Sequence, residues 1–116
     1  MNKQDLTLLT DLYELTMMQG YYKKGQHETV VFAVFYRHNP CGNGYSVCAG
    51  LDQVIDYIKN LNFTYEDVDY LRSLHIFDDD FLQYLSGFHF TGDIYAIPEG
   101  SVVFPKEPLL KVIAPI

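Results

Sequence analysis

The chain has 116 residues, room for one small domain and little more. Its net charge of -7 repels polyanions and argues against nucleic-acid binding, and hydrophobic and charged fractions of 48% and 20% exclude a disordered or fibrous chain. The composition departs from the average in its 10 Tyr and 8 Phe, rings that suit an interface or ligand pocket as well as a core.

In chain order, the first predicted element is a helix over Asp11 to Lys24. Asp11 and Glu14 have capping-box spacing, Leu8, Leu12 and Leu15 form a stripe, and Lys23-Lys24-Gly25 supplies an end. Thr29 to Arg37, apolar at nearly every position, predicts a central strand covered on both faces. His38 to Gly44, with Asn39-Pro40 and Gly42-Asn43-Gly44, is a loop. Leu51, Val54, Ile55 and Ile58 mark a second helix ending near Asn60. Thr64 and Asp67 cap a third with Val68, Leu71 and Leu74 inward, and Asp78 opens a fourth with Phe81, Leu82, Leu85 and Phe88 on one side. Three short strands follow: Asp93 to Ile97, Ser101 to Phe104 and Leu109 to Ile113. This order predicts an α+β fold, a mostly antiparallel sheet with helices on one side, within one domain.

The longest apolar run, Val30 to Tyr36, is far short of the roughly 20 residues that span a bilayer. The amino end lacks a secretory signal, so no membrane association and a cytoplasmic location are the default. Cys41 and Cys48 match no common zinc spacing and are expected to be free thiols. Because the chain stops within an apolar strand, more residues are expected after Ile116.

Several features invite chemistry. Gly42-Asn43-Gly44 lies between a strand and a helix, as a phosphate cradle does, but lacks the third glycine of a dinucleotide fingerprint, so a plain turn is preferred. Asp78-Asp79-Asp80 are assigned to helix capping rather than to Mg²⁺. His38, Cys41 and Cys48 lack a fourth metal ligand, and His27, His75 and His89 lack a partner in sequence for a triad. Lys106 lacks the flanking residues of a carrier lysine. Two residues are better placed. Arg37 ends an apolar strand just before a Pro/Gly loop, suited to bidentate contact with phosphate or carboxylate, with a surface Arg or a structural ion pair as the alternative. Tyr13 sits one position beyond Leu12 and need not share its face, with core packing as the alternative.

The run Leu9-Thr10-Asp11-Leu12-Tyr13-Glu14-Leu15-Thr16-Met17, followed by Gly20-Tyr21-Tyr22, resembles the opening of nicotinate phosphoribosyltransferases. Further resemblances follow in order: Val31 to Pro40 to the family's first strand, Gly44-Tyr45 through Leu51 to the entry into its next helix, and Pro98-Glu99-Gly100 with Phe104 to Leu110 to the strands that lead toward a barrel. Ala33 departs from the family pattern, where an acidic residue is common.

The resemblance implies the amino-terminal domain of a type II phosphoribosyltransferase, without the barrel that follows. It implies transfer of phosphoribose from phosphoribosyl pyrophosphate to nicotinate, coupled to ATP hydrolysis and requiring Mg²⁺, for NAD synthesis. It further implies a homodimer in which Tyr13 stacks on nicotinate and Arg37 meets a phosphate of phosphoribosyl pyrophosphate, both in the neighbouring subunit's site. No catalytic residue, phosphohistidine or metal ligand transfers to this chain, and the chain alone is expected to be inactive. The rival readings are a nicotinamide-specific relative and a free-standing dimerisation or ligand-sensing module.

Overall fold

The computed structural model describes residues 6–116. In chain order these form α1 (Leu12–Lys23), β1 (Thr29–Val34), β2 (Ser46–Val47), α2 (Leu51–Asn60), α3 (Tyr65–Ser73), α4 (Asp79–Ser86), β3 (Asp93–Ala96), β4 (Val102–Val103) and β5 (Leu110–Pro115). Helices and antiparallel sheet together make the α+β class. The chain divides into two compact units, one drawn from residues 6–27, 57–90 and 116, the other from 28–56 and 91–115, with α2 continuing from the second into the first.

The first unit is helical and holds the principal core. Leu15 of α1, Phe63, Val68 and Leu71 of α3, Phe77, and Phe81, Leu82 and Leu85 of α4 form one buried cluster. The inward residues of α3 and α4 recur at three- and four-residue spacing, so each helix turns one stripe to the core. Thr64 caps α3 as its sequence predicts: Asp67 N–H donates to Thr64 Oγ1 at 3.2 Å and Thr64 N–H to Asp67 Oδ2 at 2.7 Å.

α1 departs from expectation. Asp11 occupies the N-cap position but its side chain makes no capping hydrogen bond, and Glu14 turns to the Thr10 hydroxyl. Leu15 is buried with Met18 and Tyr22 packed beside it, whereas Leu12 is exposed.

The second unit holds two sheets: β1-β5-β3, and the pair β2-β4. β5 is central, pairing Thr29–Val34 through Pro115–Leu110 on one side and Asp93–Ala96 through Ile113–Leu110 on the other. The strand read as central, β1, is therefore an edge strand, and Val31, Phe32 and Val34 are each more than half exposed. Apolar content matched strand formation; it did not match coverage within this chain. β2 is an addition to the predicted elements, registered so that Ser46 faces Val103 and Val47 faces Val102.

Candidate substrate-binding residues

Tyr13 lies in the first unit on α1. The core-facing positions of that helix, Leu15, Met18 and Tyr22, leave Tyr13 on another face, where it is 60% exposed. Core packing, the alternative for this residue, is not found within this chain. Its carbonyl accepts the Thr16 hydroxyl at 2.9 Å, a local bond that leaves the ring open to solvent.

Arg37 lies in the second unit, three residues beyond the end of β1. The segment that carries it remains tied to the returning chain: Leu109 N–H donates to Val34 O and Lys106 N–H to Tyr36 O, both at 2.8 Å. Arg37 is exposed and makes no ion pair among the described residues, so of its two alternatives the structural ion pair is not found and the surface Arg stands. After it, Pro40–Gly42 forms a tight 3₁₀ turn in which Asn43 N–H donates to Pro40 O at 3.2 Å. Cys41 takes a left-handed conformation there, φ 56°, at a cost on the order of 1 kcal/mol for a residue with a Cβ.

Around Arg37 lie polar contacts that the sequence pattern did not reveal. The Tyr36 hydroxyl is 2.9 Å from both Asn39 Oδ1 and the carbonyl oxygen of Val103, and Ser46 Oγ approaches Asn39 Oδ1 at 3.4 Å. The only hint in the sequence is a hydroxyl at the end of a strand otherwise apolar.

β2 separates the Gly42-Asn43-Gly44 turn from α2, so the turn does not lead directly into that helix. An anion already occupies the amino end of that helix: the Glu99 carboxylate, from the Pro98-Glu99-Gly100 turn, accepts the N–H groups of Gly50 at 2.8 Å and Asp52 at 3.4 Å. Those N–H donors hold the Glu99 carboxyl below its ordinary pKa of 4.5.

The Asp78-Asp79-Asp80 run is placed at a helix start, as expected, but Asp78 makes no side-chain capping bond. Asp78 pairs instead with Lys23, raising the lysine's pKa; Asp79 faces Arg72 at 3.5 Å, and Asp80 accepts Phe81 N–H at 2.9 Å. Asp78 N–H donates to the Gln19 side chain at 2.7 Å, so α1 satisfies the N-cap residue's own N–H while Asp80 takes the Phe81 donor. Among the described residues no three His, Cys, Asp or Glu side chains converge on a possible metal position. Cys41 and Cys48 are free thiols. Two shallow depressions, one beside Leu9 and Tyr65 and one beside Arg72 and His75, include neither Tyr13 nor Arg37.

The class so defined is α+β with an antiparallel three-stranded sheet; Tyr13 is exposed on a helix of one unit and Arg37 on the segment after β1 in the other. Residues 8–116 match the family model of the nicotinate phosphoribosyltransferase (NAPRTase) N-terminal domain. A nicotinate phosphoribosyltransferase of Mycobacterium tuberculosis is 47% identical over 109 residues, covering 94% of this chain and 24% of the relative. The Bacillus subtilis enzyme of that name is 43% identical over 112 residues, covering 96% and 23%. The crystal structure of human nicotinic acid phosphoribosyltransferase superposes with a TM-score of 0.81 at 33% identity, over 91% of this chain and 22% of the human one. The chain belongs to the nicotinate phosphoribosyltransferase N-terminal domain family, and it spans about a quarter of the length of the curated relatives it matches.

Proposed function

We propose that this chain serves as the amino-terminal domain of a nicotinate phosphoribosyltransferase, working with a barrel domain carried by a longer polypeptide. The reaction forms a bond between the nicotinate ring nitrogen and ribose C1 as the C1–O bond to pyrophosphate breaks, giving nicotinate mononucleotide for NAD synthesis. The observation that carries the reading is the family match over residues 8–116, supported by the exposure of both Tyr13 and Arg37.

In this reading the enzyme is a cytoplasmic homodimer, and each amino-terminal domain serves the neighbouring subunit. Tyr13 offers a ring face to nicotinate. Arg37 offers paired N–H donors to a phosphate of phosphoribosyl pyrophosphate. Those donors hold the phosphate in the ground and transition states alike, which lowers the KM for phosphoribosyl pyrophosphate without a matching gain in kcat.

The Asp78–Asp80 carboxylates are engaged with Lys23, Arg72 and the Phe81 N–H, so no Mg²⁺ is assigned to them. No step is assigned to the metal or to ATP in this chain; both are proposed to be held by the barrel.

Steady-state kinetics of the longer enzyme test the assignment. Arg37→Ala should raise the KM for phosphoribosyl pyrophosphate more than that for nicotinate, and Arg37→Lys should recover only part of the loss, since it restores charge without two-point geometry. Equal loss toward both substrates, or none, would return Arg37 to a structural role. The 116-residue chain alone should show no turnover; measurable nicotinate mononucleotide from it would refute the need for the barrel.

A further inference from the structure

We infer that Tyr36 is a positioning residue for Arg37, acting through a hydroxyl bridge that closes over the backbone between Tyr36 and Asn39. This inference rests on the proposed role of Arg37 in phosphate binding.

Arg37 and His38 lie between the two side chains that the bridge joins. On one side, Tyr36 is fixed by its backbone, its carbonyl accepting Lys106 N–H at 2.8 Å. On the other, its hydroxyl reaches Asn39 Oδ1 and the Val103 carbonyl, each at 2.9 Å. Val103 is only 3% exposed and pairs in register with Ser46, so the far end of the bridge is an anchored strand rather than a loop. Ser46 Oγ, 3.4 Å from Asn39 Oδ1, adds a second tie from β2. The short covalent path through Arg37 and His38 and the hydrogen-bonded path through the two side chains together form a small closed ring.

One hydroxyl proton cannot serve two acceptors at once. With the Asn39 amide turned over, Nδ2 donates to Tyr36 Oη and Oη donates on to Val103 O, satisfying all three groups. Either arrangement restrains the Arg37 backbone before any ligand arrives. A guanidinium that must present two donors to phosphate gains from such preorganisation, because less freedom is lost on binding. The Arg37 side chain makes none of these bonds itself, so the ring fixes where the arm begins and leaves its donors available.

Tyr36→Phe removes one oxygen and keeps the ring. In the longer enzyme it should raise the KM for phosphoribosyl pyrophosphate about 5-fold, or about 1 kcal/mol at 1.4 kcal/mol per tenfold, with kcat and the nicotinate KM nearly unchanged. Asn39→Ala should give the same split, and the double variant should lose little more than the larger single loss, since both break one bridge. In an Arg37→Ala background, Tyr36→Phe should have no further effect on that KM.

A 5-fold effect that persists without Arg37, or one shared equally by both substrates, would overturn the positioning role. A fall in melting temperature with all kinetic constants unchanged would also do so, by making the bridge merely structural. If Arg37→Ala weakens phosphoribosyl pyrophosphate and Tyr36→Phe does not, the bridge fails and the phosphate reading stands. If Arg37→Ala is silent, both fall.

Discussion

The Glu99 carboxylate accepts the Gly50 N–H at 2.8 Å across 49 residues of sequence, so the amino end of α2 is capped by a turn between two strands. Glu99 is ionised below its ordinary pKa of 4.5 because backbone N–H groups of Gly50, Asp52 and Leu51 favour the charged form. A carboxyl whose folded pKa is depressed contributes stability that is fully present above the unfolded pKa and is lost as pH falls through the folded one. Glu99→Gln should therefore lower the melting temperature at pH 7, and the gap from wild type should close as pH drops below about 4. Melting curves at pH 7, 5 and 3 check this; a gap independent of pH would mean that the amide's shape, not the charge, matters.

Two of the N-caps in the first unit, Thr64 and Asp11, should respond differently. Thr64→Ala removes a complete capping box and should cost about 1 kcal/mol. Asp11→Ala removes no capping hydrogen bond and should lose only the charge–dipole contribution, about 0.3 to 0.5 kcal/mol. Urea midpoints of the two variants, measured side by side, decide it, and equal losses would contradict the difference in their bonds.

Phe81 is fully buried, its ring centroid 5.8 Å from that of Tyr22 and 5.9 Å from that of Phe77. Phe81→Ala should cost about 3 to 5 kcal/mol through lost transfer energy and the cavity left behind. That is a large part of a small domain's stability, so the variant should unfold at much lower denaturant. A loss under 1 kcal/mol would place the core elsewhere.

Local rules made α3 and α4 legible. A Thr-x-x-Asp cap and apolar residues at three- and four-residue spacing act within one or two turns, and the structure keeps both Thr64–Asp67 and the Phe81, Leu82, Leu85 stripe. The order of the sheet was not legible, because β1 and β5 are similarly apolar and only long-range pairing makes β5 central. Composition indicated that Phe32 and Val34 favour a strand, yet it carried no information on what covers them. Arg37 was legible as a candidate because it ends an apolar run, and Tyr13 because it sits one position beyond Leu12 and need not share its face. The Tyr36–Asn39 bridge and the Glu99 cap were not: the bridge needs Val103, and the cap needs Gly50, each brought close only by tertiary folding.

The last expected outcome concerns Tyr13, whose 60% exposure leaves its ring free to serve another molecule. On the proposed assignment it stacks on nicotinate in the partner subunit's site, contributing about 1 to 3 kcal/mol by analogy with aromatic stacking on a base. Tyr13→Phe keeps the stacking face and should be mild. Tyr13→Ala should raise the nicotinate KM roughly 10-fold to 100-fold, the equivalent of that stacking energy. Because the ring is proposed to act in trans, a Tyr13→Ala enzyme mixed with a barrel-inactivated one should form hybrid dimers in which one site carries both defects and the other neither. Activity at low nicotinate should then rise above that of either parent under conditions shown to exchange subunits. No recovery on mixing would place Tyr13 in its own subunit's site, and unchanged nicotinate kinetics in Tyr13→Ala would remove it from the site altogether.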